Sequence, residues 1–277
     1  MNYTGTLHRV NKDFQQAMAE NSELLIKVSP KRLSYAVVDN KKQIVALYDE
    51  ALQMPVEETL EELLTDSDEL NFNYQTVKIS VETFNYTFIP EDLYSDENLG
   101  VYQSLFSKAH ISRPFVSYSK KAFIKTVFSA QENLLAPLLD LFPKAKIYTQ
   151  AEPFIDGILS NYQGEKKLAL QFNNSSFEAL LLSNNGLLYY NIFEIETADD
   201  FNYYLLFLLQ QLNLSETNLE IIVAGDIDKE SLIYKRIEKY FSKISFASNV
   251  RIAQLQDNFS GVPAHQFFSL FSLHLCE

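Results

Sequence analysis

The stretch KLALQFNNSSFEALLLSNNGLLYYNIFEI, Lys167 to Ile195, decides the fold. Its apolar and β-branched runs are broken at Asn173-Asn174 and again at Asn184-Asn185-Gly186, both turn formers. The pattern predicts three consecutive strands joined by tight turns. A second stretch nearer the N-terminus, LLIKVSPKRLSYAVVDNKKQIVALY from Leu24 to Tyr48, repeats it: strand, turn at Ser29-Pro30, strand, turn at Asn40, strand. At an ungapped offset of 144 residues, Val28 meets Phe172, Leu33 meets Phe177, Val37 meets Leu181 and Asn40 meets Asn184. Repeats of 20 to 50 residues signal arrays. A period this long instead predicts two similar domains.

The segments C-terminal to the two meanders are also alike. After the first come a helix over Pro55–Leu64, strands at Thr76–Val81 and Phe84–Ile89, and an antiparallel pair at Pro114–Tyr118 and Phe123–Phe128. Ser129-Ala-Gln-Glu132 has the spacing of a capping box and predicts a helix through Phe142. A short strand at Lys146–Thr149 and a helix from Glu152 to Leu159 complete the first half. After the second meander, Thr197-Ala-Asp-Asp200 caps a helix whose apolar Phe201, Tyr204, Leu205, Leu208 and Leu212 share one face. Next are a buried strand at Leu219–Ala224, a helix around Ile233–Phe241, a strand at Lys243–Phe246 and an apolar C-terminal helix. The division expected is an N-terminal extension over 1–22, a first domain over 23–150 and a second over 151–277.

Composition narrows the chemistry. Only 7 glycines occur in 277 residues, and no two lie within six of each other, so neither GxGxxG nor GxxxxGK[ST] exists. The net charge is −13, and Gln43–Ser107 holds 14 acidic residues against the single base Lys78. From Lys108 to Lys146 the sign reverses, with seven bases against Glu132 and Asp140. Acidic pairs Glu57/Glu61 and Glu58/Glu62 predict a solvated helix face. A pI near 4.8 disfavours nucleic acid as partner. The lone Cys276 permits neither a disulfide nor a cysteine zinc site, and His8, His110, His265 and His274 lack metal-ligand spacing. No apolar run is long enough to span a bilayer and no signal peptide opens the chain, which predicts a cytoplasmic protein.

A meander, helix, parallel strand, helix and strand, twice over, resembles the actin-like ATPase superfamily of actin, Hsp70 chaperones and sugar kinases. Within it, the chain is similar to a bacterial group of that fold with no assigned activity. The resemblance covers about Glu23 to Phe246. It implies an α/β fold of two duplicated ribonuclease H-like subdomains, each a mixed five-stranded sheet flanked by helices, with ATP and Mg²⁺ held in the cleft between them.

The superfamily's phosphate motifs are altered in this chain. The first, apolar-apolar-Asp-x-Gly-[ST]-[ST], aligns with Leu25-Ile-Lys-Val-Ser-Pro-Lys31: Lys27 stands in the Asp position, Ser29 in the Gly position, and Pro30 removes a backbone donor. The second, Asp-x-Gly-Gly-Gly-[ST], aligns with Gln171-Phe-Asn173-Asn174-Ser-Ser176. Its carboxylate is an amide and its glycines are asparagines, which tolerate positive φ and keep the turn. The adenosine motif, a buried strand ending Gly-Gly, aligns with Ile221-Ile-Val-Ala-Gly225-Asp226. Gln150-Ala-Glu152-Pro153 is similar to the Glu-Pro that opens the connecting helix.

Phosphoryl transfer needs a metal clamp and donors on the moving group. Both metal-directed aspartates and most loop glycines are replaced together. A nuclease of the related ribonuclease H fold is disfavoured too, because Lys27 replaces its metal-binding Asp. The expectation is a non-catalytic actin-like scaffold or protein-interaction module, taking a protein partner or a second copy of itself, with no metal and no cofactor. Two alternatives stand beside it. One is a non-hydrolysing nucleotide or phosphate binder using Lys27, Ser29, Gln171, Asn173, Asn174, Gly225 and Asp226. The other is a divergent ATPase or kinase, for which Asp226 is the one cleft carboxylate the alignment offers. An exposed tyrosine pair at Tyr189-Tyr190 or Tyr203-Tyr204 would suit an interface, though strand alternation predicts core plus rim.

Overall fold

A computed structural model describes residues 6–106, 113–184, 186–214 and 219–277; Gly5, Lys108 and His110 lie outside the described residues. The chain opens with strand β1 (Leu7–Val10) and a single turn of helix, α1 (Gln16–Ala19). The first meander comes next as β2 (Glu23–Ser29), β3 (Arg32–Val38) and β4 (Gln43–Ala51), then helix α2 (Val56–Asp66) and strand β5 (Thr76–Val81). A smaller unit is inserted after it: β6 (Tyr86–Pro90), α3 (Leu99–Gln103), β7 (Phe115–Ser119) and β8 (Ile124–Phe128). Helix α4 (Glu132–Leu141), strand β9 (Lys146–Thr149) and helix α5 (Ala151–Asn161) lead out of the first half. The second half runs β10 (Lys167–Phe172), β11 (Ser176–Ser183), β12 (Gly186–Glu194), α6 (Ala198–Gln211), β13 (Glu220–Gly225), α7 (Leu232–Glu238) and β14 (Ile244–Phe246). It closes with β15 (Gln254–Leu255) and α8 (Phe268–Ser272).

The duplication holds to the residue. In β2–β3, Val28 pairs with Leu33; in β10–β11, Phe172 pairs with Phe177. The parallel neighbours agree at the same offset of 144, Val28 with Val81 and Phe172 with Gly225. Even the irregularity in the third strand recurs, between Val37 and Val38 and between Leu181 and Leu182. Strand order is β4-β3-β2-β5-β9 in one sheet and β12-β11-β10-β13-β14 in the other. The second sheet has the five strands expected. The first has seven, because β1 pairs antiparallel with β4 and β15 lies parallel to it further along. Residues 7–10 of the segment expected to be an extension are thus a strand, held because an open edge on β4 offers unpaired backbone groups. Strands β6, β8 and β7 form a separate antiparallel sheet.

Each sheet packs one face outward against its own helices. Leu60, Leu63, Leu134 and Leu138 of α2 and α4 cover Ile26, Val28 and Ile79; Phe201, Leu205 and Ile237 of α6 and α7 cover Leu170, Phe172 and Val223. The inner faces share a third cluster with α5 and α8, from Leu25 and Leu47 on one side to Leu180 and Ile222 on the other, around Phe154, Phe268 and Phe271. Helices α5 and α8 approach closely at Gly157, where a Cβ would lie 2.2 Å from Ser272 Oγ. The halves therefore meet through a continuous apolar layer.

The predicted capping box at Thr197 forms, with Thr197 Oγ1 accepting from the Asp200 amide and Asp200 accepting from the Thr197 amide. The one predicted at Ser129 does not. Helix α4 starts at Glu132 with Gln131 as an N-cap that makes no side-chain bond. Ser129 is held instead by the end of the small sheet, its amide donating to Asn85 O and its carbonyl accepting from Thr83 Oγ1. On α2, Glu57, Glu58, Glu61 and Glu62 are exposed, as the charge pattern predicted.

Buried acid also sits on α5. Asp156 is 2% exposed and accepts from Ser119 Oγ at 2.5 Å, and burial pushes its carboxyl up to about 7. A carboxyl raised above its unfolded value loses stability as pH climbs from about 4 to 7 and is level beyond. Asp156→Asn is therefore expected to flatten that slope, adding about 2–4 kcal/mol at pH 8 and little at pH 4. Urea unfolding at the two pH values checks it; equal effects at both would show that Asp156 does not titrate in this window.

Candidate functional site

The ends of β2 and β10 face one cavity. Lys27 and Ser29 from the first half line it with Gln171, Asn173, Asn174 and Asp226 from the second. Gly225, the seventh residue named from the sequence, backs it at φ +81°, where a Cβ would fall 2.0 Å from the Phe172 carbonyl oxygen. The structure thus brings all seven together. Lys27 interrupts the apolar run over residues 24–28 and sits between Ser34 and Ser80 on its neighbours, two small side chains that leave room for a long one.

The gap between the two turns is bridged by the chain's own side chains. Lys27 Nζ donates to Asn173 Oδ1 at 3.0 Å and to Ser269 Oγ on α8 at 2.9 Å. Arg32 Nη1 donates to Asn174 Oδ1 at 3.3 Å and lies 3.9 Å from Asp226 Oδ2. Ser176 Oγ donates to Glu82 Oε1 at 2.8 Å. Asp49 holds Arg32 from behind, accepting from its Nε at 2.7 Å and from Ser34 Oγ at 2.6 Å. Below them Glu178, fully buried, accepts from Asn173 Nδ2 at 3.2 Å and from Tyr190 OH at 2.8 Å.

The charges here are strongly coupled. Burial lowers the Lys27 ammonium, and the carboxylates of Glu178, Glu82 and Asp49 oppose that. Burial pushes Glu178 up to about 7 against the pull of Lys27 and its hydrogen-bond donors. Burial also raises Asp226, opposed by Arg32. Asp49 and its hydrogen bond hold the Arg32 guanidinium firmly charged.

The alignment offered Asp226 as the cleft carboxylate, but Asp49, Glu82 and Glu178 are here as well. Each already has a protein partner. Asp49 and Glu82 sit inside the acidic segment, where nothing in the sequence separates them from solvated neighbours. Glu178 did leave a signal: a carboxylate within the apolar run of β11 is costly unless partnered. The tyrosine pairs, expected to split between core and rim, also divide. Tyr190 reaches Glu178, whereas Tyr203 is exposed.

These residues do not suit a magnesium-bound triphosphate. Lys27 occupies the metal-directed position, Pro30 lacks a backbone donor, the Asn173 amide is spent on Ser176 O, and two asparagine side chains stand where the cradle's glycines leave room. The cavity holds about 60 Å³, room for a few waters. Outside it a wider groove of about 590 Å³ sets the rings of Phe84, Phe193 and Tyr204 among polar residues such as Lys31, Gln131 and Glu194. Among the described residues no group of three or more His, Cys, Asp or Glu could hold a metal ion, and no helix is long and apolar enough to cross a membrane.

Two sheets of matching order, each opening with the same meander and facing one cleft, define the actin-like ATPase fold. Solved structures agree. A Bacteroides thetaiotaomicron VPI-5482 protein with an actin-like ATPase fold and unknown function superposes with a TM-score of 0.77 at 20% identity, over 95% of this chain and 99% of that one. The PilM–PilN type IV pilus biogenesis complex gives 0.63 at 10% identity, over 91% and 97%. No curated protein matches the sequence. Residues 11–244 match the family described as Protein of unknown function (DUF3822), and the chain belongs to that family.

Proposed function

We propose that this chain is a non-catalytic actin-like module that acts by binding another protein, its nucleotide cleft latched by its own side chains. One observation carries the reading. The space where the superfamily holds phosphates is crossed by Lys27 to Asn173 and Ser269, Arg32 to Asn174, and Ser176 to Glu82. A triphosphate would have to displace all of them and would meet Pro30 and two asparagine side chains where the superfamily has glycines. The neighbour from type IV pilus biogenesis is a complex of two proteins, PilM and PilN, which supports partner binding as a use of this fold.

Thermal shift with Mg-ATP, ADP and inorganic phosphate at millimolar levels tests this. The expected result is no rise in Tm with any of them. A ligand at 100 times its Kd would add about 2.7 kcal/mol, or roughly 5–10 °C in a chain of this size. A rise of that size, abolished by Lys27→Ala, would replace the scaffold reading with a nucleotide or phosphate binder.

A further inference from the structure

The β7–β8 hairpin ends in a feature that both its backbone and the solvent oppose. Ser119 pairs with Ile124, so Lys120-Lys121-Ala122-Phe123 make the turn. Phe123 has φ +55°, the left-handed region, which costs a residue with a Cβ and is ordinarily given to glycine or asparagine. Its side chain is also 65% exposed. Glycine would relieve both penalties, so the ring at this tip is not there for the fold. Strain of this kind gathers where a chain meets its ligands.

Beside the tip lies a groove of about 420 Å³, lined by Phe123, Leu159 and Tyr162 together with Lys120 and Lys121. Among the described residues no carboxylate lines it, although the chain carries 36 acidic residues against 23 basic ones. Lys125, one strand residue on, lies 4.5 Å over the ring of Tyr118 and adds a third positive charge to the same hairpin. Lys120 meets Glu277 at 2.9 Å, but both side chains are exposed, and such a pair is weak enough for a partner to displace. Three of the seven bases in the stretch read from the sequence, Lys120, Lys121 and Lys125, thus lie on this hairpin.

We propose that this hairpin tip and groove dock an acidic, apolar, extended segment of another protein, with Phe123 as the anchor. The proposal rests on the partner-binding reading above and names its surface. Charge complementarity selects the occupant: a groove lined by two lysines and, among the described residues, no carboxylate, with Glu277 only in an exposed and displaceable pair, calls for acid, and Phe123, Leu159 and Tyr162 call for apolar side chains between the acids. A second copy is the poorer fit, because two chains at −13 repel.

Short randomised peptides displayed in a library and panned against the full chain provide the probe. The enriched peptides are expected to combine Asp or Glu with aliphatic or aromatic residues and to weaken with salt. Phe123→Asn, which keeps the left-handed turn at little cost, is expected to weaken them about tenfold or more while Tm is unchanged or slightly higher. Lys120→Glu with Lys121→Glu should do the same. The proposal is overturned by enrichment of peptides without acidic residues, by none at all, or by binding that ignores Phe123→Asn. It is also overturned if Phe123→Asn and Phe123→Gly both lower Tm by more than about 5 °C, since the ring would then serve the fold. Self-association lost on Phe123→Asn would assign the surface to a second copy and overturn it too. Loss of this proposal leaves the latched cleft intact, whereas a nucleotide-induced shift sinks the latch whatever the peptides do.

Discussion

Gly225→Ala is expected to lower Tm by roughly 8–12 °C, about 3–4 kcal/mol in a chain of this length. Gly225 ends β13 at φ +81°, beside Phe172 of β10 in parallel register. An added Cβ would stand 2.0 Å from Phe172 O, 2.4 Å from Gln171 Nε2 and 2.8 Å from Phe172 N. Two of these are backbone atoms, and neither can retreat. Phe172 is paired with Phe177 on its other side, and its carbonyl accepts from the Asp226 amide at 2.9 Å. The strands must part, at the point where Asp226 approaches Arg32. Gly100→Ala is the matched control: it lies in helix α3 with nothing within 4 Å of the added methyl, and a small gain is expected there. Calorimetry of the two variants decides it; a fall below about 2 °C for Gly225→Ala would mean the strands accommodate the methyl.

Lys27→Met is expected to cost about 2–4 kcal/mol at pH 8, and adding Glu178→Gln is expected to restore most of it. In the native chain the Lys27 ammonium is the main opposing charge holding the Glu178 carboxyl down at about 7. Without it, that carboxyl rises further. Because the folded value exceeds the unfolded one, the group favours the folded state below about pH 4.5, and that contribution is lost as pH rises through the folded value. In Lys27→Met the loss extends above pH 7, so the variant is close to the native chain at pH 5 and much weaker at pH 8. Glu178→Gln keeps the acceptor for Tyr190 and removes the titration. A double-mutant cycle at both pH values measures the coupling. A coupling below about 0.5 kcal/mol at pH 8 would show that water, rather than Lys27, balances Glu178.

Much of the fold was legible because its signals are local. Alternating apolar runs bounded by Asn and Pro located both meanders, and a shared offset of 144 residues carried through to the parallel strands β5 and β13. The Thr197 box formed because its helix begins at that threonine. The Ser129 box, identical in spacing, failed because the end of the small sheet claimed Ser129 first. Strand β1 was missed for a related reason. Leu7–Val10 is too short to announce itself, and only the exposed edge of β4 makes it a strand.

At the cleft the division is sharper. Residue identity alone placed Lys27 where an aspartate belongs, Pro30 where an amide belongs and asparagines where glycines belong, and that is the basis for expecting a cleft without the superfamily's chemistry. Tertiary structure decided what fills the space instead. It drew Arg32, Asp49, Glu82, Glu178 and Ser269 from distant parts of the chain and closed the gap with them. No periodicity could reveal this, because the bonds that bridge the two halves, Lys27 to Asn173, Arg32 to Asn174 and Ser176 to Glu82, join residues the sequence holds far apart. The same holds at the hairpin tip. The sequence recorded a run of lysines with a phenylalanine after them. The left-handed turn that exposes the ring, and the groove that gathers the charge beside it, exist only once β7 and β8 pair and α5 packs alongside.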